Sequence, residues 1–190
     1  PAHPAMQSVI AASGVPLAAP SANASGTVSP TSANHVLATL DGRIPLVVDG
    51  GRCSTGLEST IVRPLNDRLV LLRPGPITPA MLEAATGLPV VTDESGTISA
   101  PGQLASHYAP GKPVLLDCAG PSADAFHIGF GPGACDYCLS RRGDLTEAAA
   151  QLFSALHAGA ASAHPRITIA PIPAEGLGLA IHDRLRRAAA

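Results

Sequence analysis

The chain has little charge and few aromatic rings. Charged side chains make up 14% of its 190 residues, against about 25% in an ordinary soluble domain. There is no Trp, and only two Tyr and three Phe. Little charge with 46% apolar residues excludes a disordered, charge-driven chain. A net charge of −2 lacks the basic footprint of a nucleic-acid-binding domain. Lysine is nearly missing: Lys112 stands alone beside eleven Arg, so lysine chemistry is all but excluded. No run of about 18 apolar residues occurs, which argues against a membrane span, and no signal-peptide pattern opens the chain. The four cysteines, Cys53, Cys118, Cys135 and Cys138, are too few for a dense disulfide framework and fit a reducing compartment; a cytoplasmic location is expected. Cys135-Asp-Tyr-Cys138 has CxxC spacing, but zinc needs two more ligands and only His127 offers itself. A structural role is the first reading of that pair, with metal and redox use as alternatives.

Glycine and proline, 19 each, are spread along the chain and predict many short turns. The length suffices to bury a core. Val15–Ala19 and Ile44–Asp49 read as short buried strands, and Ser59–Arg63 and Arg68–Leu72 as strands around the turn Pro64-Leu65-Asn66-Asp67. Ser29-Pro30 reads as a helix start running to Leu40, with Asp41-Gly42 as its stop; Thr78-Pro79 opens a second helix and Gly87 closes it. Residues 91–111 have little periodicity and read as an interdomain linker. Beyond them, Val114–Asp117, His127–Phe130 and Ile167–Ile169 read as strands. Asp144 with Glu147 forms a capping box, and Leu177, Ile181 and Leu185 mark a terminal amphipathic helix whose Arg184, Arg186 and Arg187 suit the helix dipole. Alternating strands and helices predict an α/β fold, divided as residues 1–90, a linker over 91–111, and a smaller α/β unit over 112–190.

Four clusters carry candidate chemistry. Ala19-Pro20-Ser21-Ala22-Asn23-Ala24-Ser25-Gly26 puts small residues, hydroxyls and free N–H groups where a sheet end would hold an anion. Gly50-Gly51 and Gly56-Leu57-Glu58-Ser59-Thr60 form a second such loop, with Glu58 open as a base or an ion-pair partner. Arg73, just past a strand, can fork onto phosphate oxygens. Tyr108, in His107-Tyr108-Ala109-Pro110, can stack on a base from the linker or simply anchor it. No Gly-x-Ser-x-Gly elbow supports a Ser/His/Asp hydrolase.

In this order, together with Pro1-Ala2-His3-Pro4, Ser29-Pro30-Thr31, Asp49-Gly50-Gly51 and Leu72-Arg73-Pro74-Gly75, these motifs resemble the Sua5/YrdC family of threonylcarbamoyl-AMP synthases, in its longer Sua5 form. The resemblance implies an α/β chain with a partial YrdC-like twisted sheet domain, a linker and a small Rossmann-like Sua5 domain. It implies a nucleotidyltransferase that makes threonylcarbamoyl-AMP and pyrophosphate from L-threonine, bicarbonate and ATP. The product would pass to a tRNA-modifying threonylcarbamoyl transferase complex for t6A formation. It implies that Ser21, Ser29, Arg73 and Tyr108 bind ATP, that Ala19 and Ser59 bind threonine, and that Asn23 and Thr60 support them. Mg²⁺ would accompany ATP, with no metal-ligating side chain and no protein nucleophile assigned. No membrane and no strong direct nucleic-acid contact is implied.

The family's opening segment, with a Lys/Arg phosphate cluster, would precede Pro1, and the chain starts without Met. The expectation is therefore a chain lacking the N-terminal part of the first domain. That leaves open a non-catalytic nucleotide-binding module, or a carbamoyltransferase module of the hydrogenase-maturation kind.

Overall fold

The computed structural model describes residues 1–93, 98 and 100–190. Residues 94–97 and 99, inside the expected linker, lie outside the described residues. In chain order the elements are α1 (Pro4–Ser13), α2 (Ala33–Leu40), β1 (Ile61–Pro64), β2 (Leu69–Arg73), α3 (Pro79–Thr86), β3 (Val90–Thr92), β4 (Val114–Leu115), β5 (Ala125–Gly129), β6 (Tyr137–Cys138), α4 (Leu145–Ala161), β7 (Arg166–Ile169) and α5 (Gly178–Ala188). They build two sheets. In the first, β2 pairs antiparallel with β1 and parallel with β3. In the second, four parallel strands run in the order β4-β7-β5-β6. The α/β class holds.

Local chemistry explains several boundaries. Thr78 Oγ1 accepts from Met81 N at 3.4 Å, Pro79 takes the first helical position, and Gly87 at φ 71° returns its N–H to Glu83 O. These are the start and stop devices that proline's fixed φ and glycine's left-handed freedom provide. Asp144 Oδ1 accepts from Thr146 N and Glu147 N at 2.8 and 2.9 Å. The reciprocal half of the capping box does not form: the Glu147 carboxylate turns to Ser140 Oγ and Arg142, and Ser140 Oγ accepts from Asp144 N instead.

Three readings change. Helix α2 begins after Ser32, whose hydroxyl accepts from His35 N; Ser29 lies before the helix and its hydroxyl donates to Glu58 at 2.6 Å. Val15–Ala19 and Ile44–Asp49 form no regular element and join no sheet. Leu46 and Val48 are 73% and 65% exposed; their apolar character marks a strand only where a neighbouring strand pairs with it, and none of the described strands does. Val91 and Thr92 belong to β3 and not to an irregular linker. No helix among the described residues is long and apolar enough to cross a membrane.

The main core lies between α4, α5 and the parallel sheet, where Ile128, Ile167, Ile169, Leu152, Leu156 and Ile181 are sealed from water. Leu156→Ala should cost about 2–5 kcal/mol through lost apolar burial and an unfilled hole, read as a lowered midpoint in denaturant unfolding.

Candidate functional site

A cavity of about 610 Å³ opens between the loops of the first unit and α4 of the second, with Ser21, Ser29, Thr31, Gly50, Gly51 and Glu58 on its walls and Phe153 of α4 at its margin. Its walls are held by short-range devices. Asp49 Oδ1 accepts from Gly51 N at 2.9 Å, and Gly51 sits at φ 86°. His3, which caps α1 through Nδ1, meets Gly50 O with Nε2 at 3.1 Å. Gly56 sits at φ 74°, and a Cβ there would stand 2.3 Å from Ala149 O of α4; only glycine lets this loop lie against the helix.

Glu58 ties the cavity to the far end of the chain. One carboxylate oxygen accepts from Ser29 Oγ at 2.6 Å, and the other from Arg184 Nε at 2.9 Å. Arg184, on α5, is 0% exposed. Its Nη1 also donates to Pro74 O and Asp183 Oδ2 at 2.9 and 2.7 Å. Asp183 in turn holds Arg187 at 3.0 Å. Burial works against the Arg184 charge, but Glu58, Tyr108 and Asp183 together raise its pKa above the ordinary arginine value. Glu58 is thus an ion-pair partner in this arrangement. Arg184 does not face solvent at the helix end as the dipole argument has it: it turns inward.

The residues singled out from the sequence do not all gather at the cavity. Ser21 and Ser29 line the cavity. Arg73 and Ser59 form a separate bracket: Arg73 Nε and Nη2 donate to Ser59 O at 3.1 and 2.9 Å, Nη2 reaches Ser59 Oγ at 3.3 Å, and Nη1 reaches Pro101 O at 3.1 Å. Burial and the nearby Arg184 lower the Arg73 pKa. Tyr108 is 1% exposed, stacked on Phe153 at 5.3 Å between ring centroids, with the Arg184 guanidinium carbon 5.6 Å from its own centroid. Gly102 lies against both brackets; a Cβ there would fall 2.6 Å from Tyr108 Oη and 3.3 Å from Arg73 Cδ. Tyr108 therefore reaches the cavity through Phe153. Thr60 Oγ1 donates to Ile77 O and accepts from Ile77 N, pinning the Gly75 turn. Asn23 Nδ2 donates to Ala24 O and Thr27 O, closing its loop. Ala19 is exposed and lies outside the cavity wall.

Arg184, Phe153 and Arg52 are the contributions that motif reading did not assign to the site. His3 stood in the Pro1-Ala2-His3-Pro4 motif, without a role of its own.

No three His, Cys, Asp or Glu side chains converge among the described residues, and the acid that lines the cavity is engaged by Ser29 and Arg184. The side chains present do not fit a Mg²⁺ cage of their own.

A two-unit α/β chain with small-residue and hydroxyl-bearing loops around one cavity has the layout of a protein that binds and positions small ligands. The chain belongs to the family described as threonylcarbamoyl-AMP synthase, C-terminal domain, whose model matches residues 77–190; a second family, described as telomere recombination, matches residues 1–75. A threonylcarbamoyl-AMP synthase of Bacillus subtilis is 38% identical, aligned over 100% of this chain and 61% of its own length. One from Pyrococcus abyssi is 34% identical over 99% of this chain and 62% of its own. The crystal structure of P. abyssi Sua5 complexed with L-threonine superposes with a TM-score of 0.85 at 32% identity, covering 100% of this chain and 62% of that one. A variant of the same protein with a histidine and a tyrosine changed to alanine gives 0.82 at 30% identity, over 100% of this chain and 61% of that one. The chain thus spans about three fifths of the length of these relatives.

Arg184→Ala leaves Glu58 and Asp183 half-paired in a dry setting and should cost about 3–5 kcal/mol. Arg186→Ala, on the exposed side of α5, should stay within about 0.5 kcal/mol; paired denaturation curves read the difference.

A second junction responds to pH. The His35 and His157 rings stack at 3.8 Å between α2 and α4, His157 Nε2 meets Ser29 O at 3.1 Å, and Arg52 Nη2 donates to Ser154 Oγ at 2.9 Å. Burial, His157 and Arg52 lower His35 to about 4, and burial lowers His157. The native state then binds protons less tightly than the unfolded chain. Its stability is complete above about pH 6.5 and falls as the pH drops towards 4. His35→Asn should flatten that slope between pH 6.5 and 4.5, measured as unfolding midpoint against pH.

Proposed function

We propose that the chain carries the ligand-binding cavity of a threonylcarbamoyl-AMP synthase, joining L-threonine, bicarbonate and ATP into threonylcarbamoyl-AMP with release of pyrophosphate. The observation that carries this reading is the match of the whole chain to about three fifths of a protein of that name, together with the match to part of a structure complexed with L-threonine.

The chemistry asks for positioning more than for a protein nucleophile. Threonine's amine adds to the carbon of bicarbonate with loss of water, or to carbon dioxide with loss of a proton, to give a carbamate. A carbamate oxygen then attacks the α-phosphorus of ATP, and the bond to the leaving pyrophosphate breaks. The attacking group is already an anion, so what it needs is alignment and donors that accept its charge. In this reading Ser21 and Ser29 face ATP from the cavity wall, and the Gly50-Gly51 backbone allows close approach. Ser59 and Ala19 belong to the threonine side, with Asn23 and Thr60 bracing their loops. Arg73 belongs to the nucleotide side and holds Ser59 against it from the threonine side, and Tyr108 acts on the nucleotide through Phe153. Mg²⁺ arrives with the ATP phosphates, and no step is routed through a side-chain site for it. Excluding water protects the carbamate and the mixed anhydride from hydrolysis.

The test uses the full-length gene product. Threonine-dependent pyrophosphate release should appear with bicarbonate and ATP, and Ser29→Ala should weaken ATP binding about tenfold in calorimetry. ATP binding without threonine-dependent release would favour a non-catalytic nucleotide-binding module; release with unchanged affinity in Ser29→Ala would remove Ser29 from the ATP side.

A further inference from the structure

The second sheet ends in a cysteine pair that the proposed reaction leaves unused. Cys135 and Cys138 flank Gly129, the last residue of β5. Cys138 is its register partner across the parallel β5–β6 ladder. The Cys135 side chain occupies the space a Gly129 Cβ would take, with Sγ 3.0 Å and Cβ 2.8 Å from that point. Gly129 has an ordinary backbone conformation, outside the left-handed region, so what requires glycine there is room for the neighbouring sulfur. Both sulfurs hang over the loop that leaves β5, Cys138 Sγ 3.8 Å from Gly131 O and Cys135 Sγ 4.0 Å from Gly133 O. Both side chains thus meet at Gly129, Cys138 as its register partner and Cys135 in the space of its missing Cβ. Arg141 braces the same loop, donating to Gly133 O at 2.9 Å.

Both thiols are free and half-buried, open to a small reagent but held in one place. No third His, Cys, Asp or Glu joins them among the described residues, which leaves metal binding without a ligand set. A CxxC pair held in this way on one loop suits thiol–disulfide exchange.

We propose that Cys135 and Cys138 form a reversible dithiol–disulfide couple, oxidised by low-molecular-weight disulfides and returned by low-molecular-weight thiols. Cys138, as thiolate, attacks one sulfur of the oxidant, whose other half leaves as a thiolate and takes up a proton. Cys135 then loses its proton to solvent and attacks Cys138 Sγ in the mixed disulfide, and the second half of the oxidant leaves as a thiolate that takes up a proton. The protein gives up two electrons and two protons, and the oxidant becomes two thiols. The new bond ties edge strand β6 to the β5 exit loop. Tyr137, between the two cysteines, lines a cavity of about 450 Å³ with His35, Arg52 and His157, so the bond also stiffens a strand that borders the junction of the two units.

The experiment equilibrates the native chain in graded mixtures of oxidised and reduced glutathione, traps free thiols with iodoacetamide, and maps the products by mass spectrometry. Cys135 and Cys138 should lose alkylation together, with a single midpoint, while Cys53 and Cys118 remain alkylated. Excess dithiothreitol should restore both thiols. Cys135→Ser should leave a glutathione adduct on Cys138 in place of an internal bridge. The double variant C53S/C118S, which keeps the pair, should match the unaltered chain, so the result does not depend on Cys135→Ser folding. Independent titration of the two cysteines, glutathione adducts with no internal bridge, or a bridge to Cys53 or Cys118 would overturn the proposal. None of these readouts involves threonine or ATP.

Discussion

Arg184 is the buried charge on which the two units meet. A guanidinium removed from water is tolerated only when anions and carbonyls replace the lost hydration. Here Glu58 comes from a cavity loop, Pro74 O from the turn after β2, and Asp183 from the same helix. Two of the three lie more than a hundred residues away along the chain. The pair therefore acts as a register pin: α5 satisfies its buried charge only when the Glu58 loop and the Pro74 turn are both in place. In a chain with so few charges, one buried cluster does what a broad ionic surface does elsewhere.

The cavity inherits its shape from that pin. Glu58, oriented by Arg184, fixes the Ser29 hydroxyl at 2.6 Å. Gly56, two residues earlier, lies against α4 with no room for a side chain. Phe153 of α4 then borders the cavity from the second unit, so the site spans the junction of the two units.

Short-range signals were legible in the sequence because their chemistry is local. Thr78, Pro79 and Gly87 bound α3 through contacts within a few residues, and Leu177, Ile181 and Leu185 marked α5 by periodicity alone. The resemblance found the cavity loops and the family. What escaped reading depends on distant partners. Ser29 and Ser32 look alike as caps in sequence, and only the fold shows that Ser32 caps α2 while Ser29 turns to Glu58. Val15–Ala19 and Ile44–Asp49 look like strands, but pairing is a property of two segments. Edge strand β6 has only Tyr137 and Cys138, too short for any period to show. Arg184 reads as a solvated helix-end cation because nothing in α5 announces that Glu58 waits opposite.

Tyr108 shows how the segment after the first unit works. Its φ of 61° is a left-handed conformation that costs a non-glycine residue about 1–2 kcal/mol. Such strain persists only where surrounding packing over-determines it. That packing is present: Phe153 on one face, the Arg184 guanidinium near the ring, and Gly102 close to the hydroxyl. Backbone ties hold either side, with His107 N donating to Arg187 O at 3.1 Å and Ala109 N to Gly26 O at 2.9 Å. A loose tether would relax the strained residue; this one is fastened to the first unit through Gly26 and to the second through Arg187. The segment around Tyr108 is therefore a fixed clasp, and its strain is held by the same contacts that place Phe153 beside the cavity.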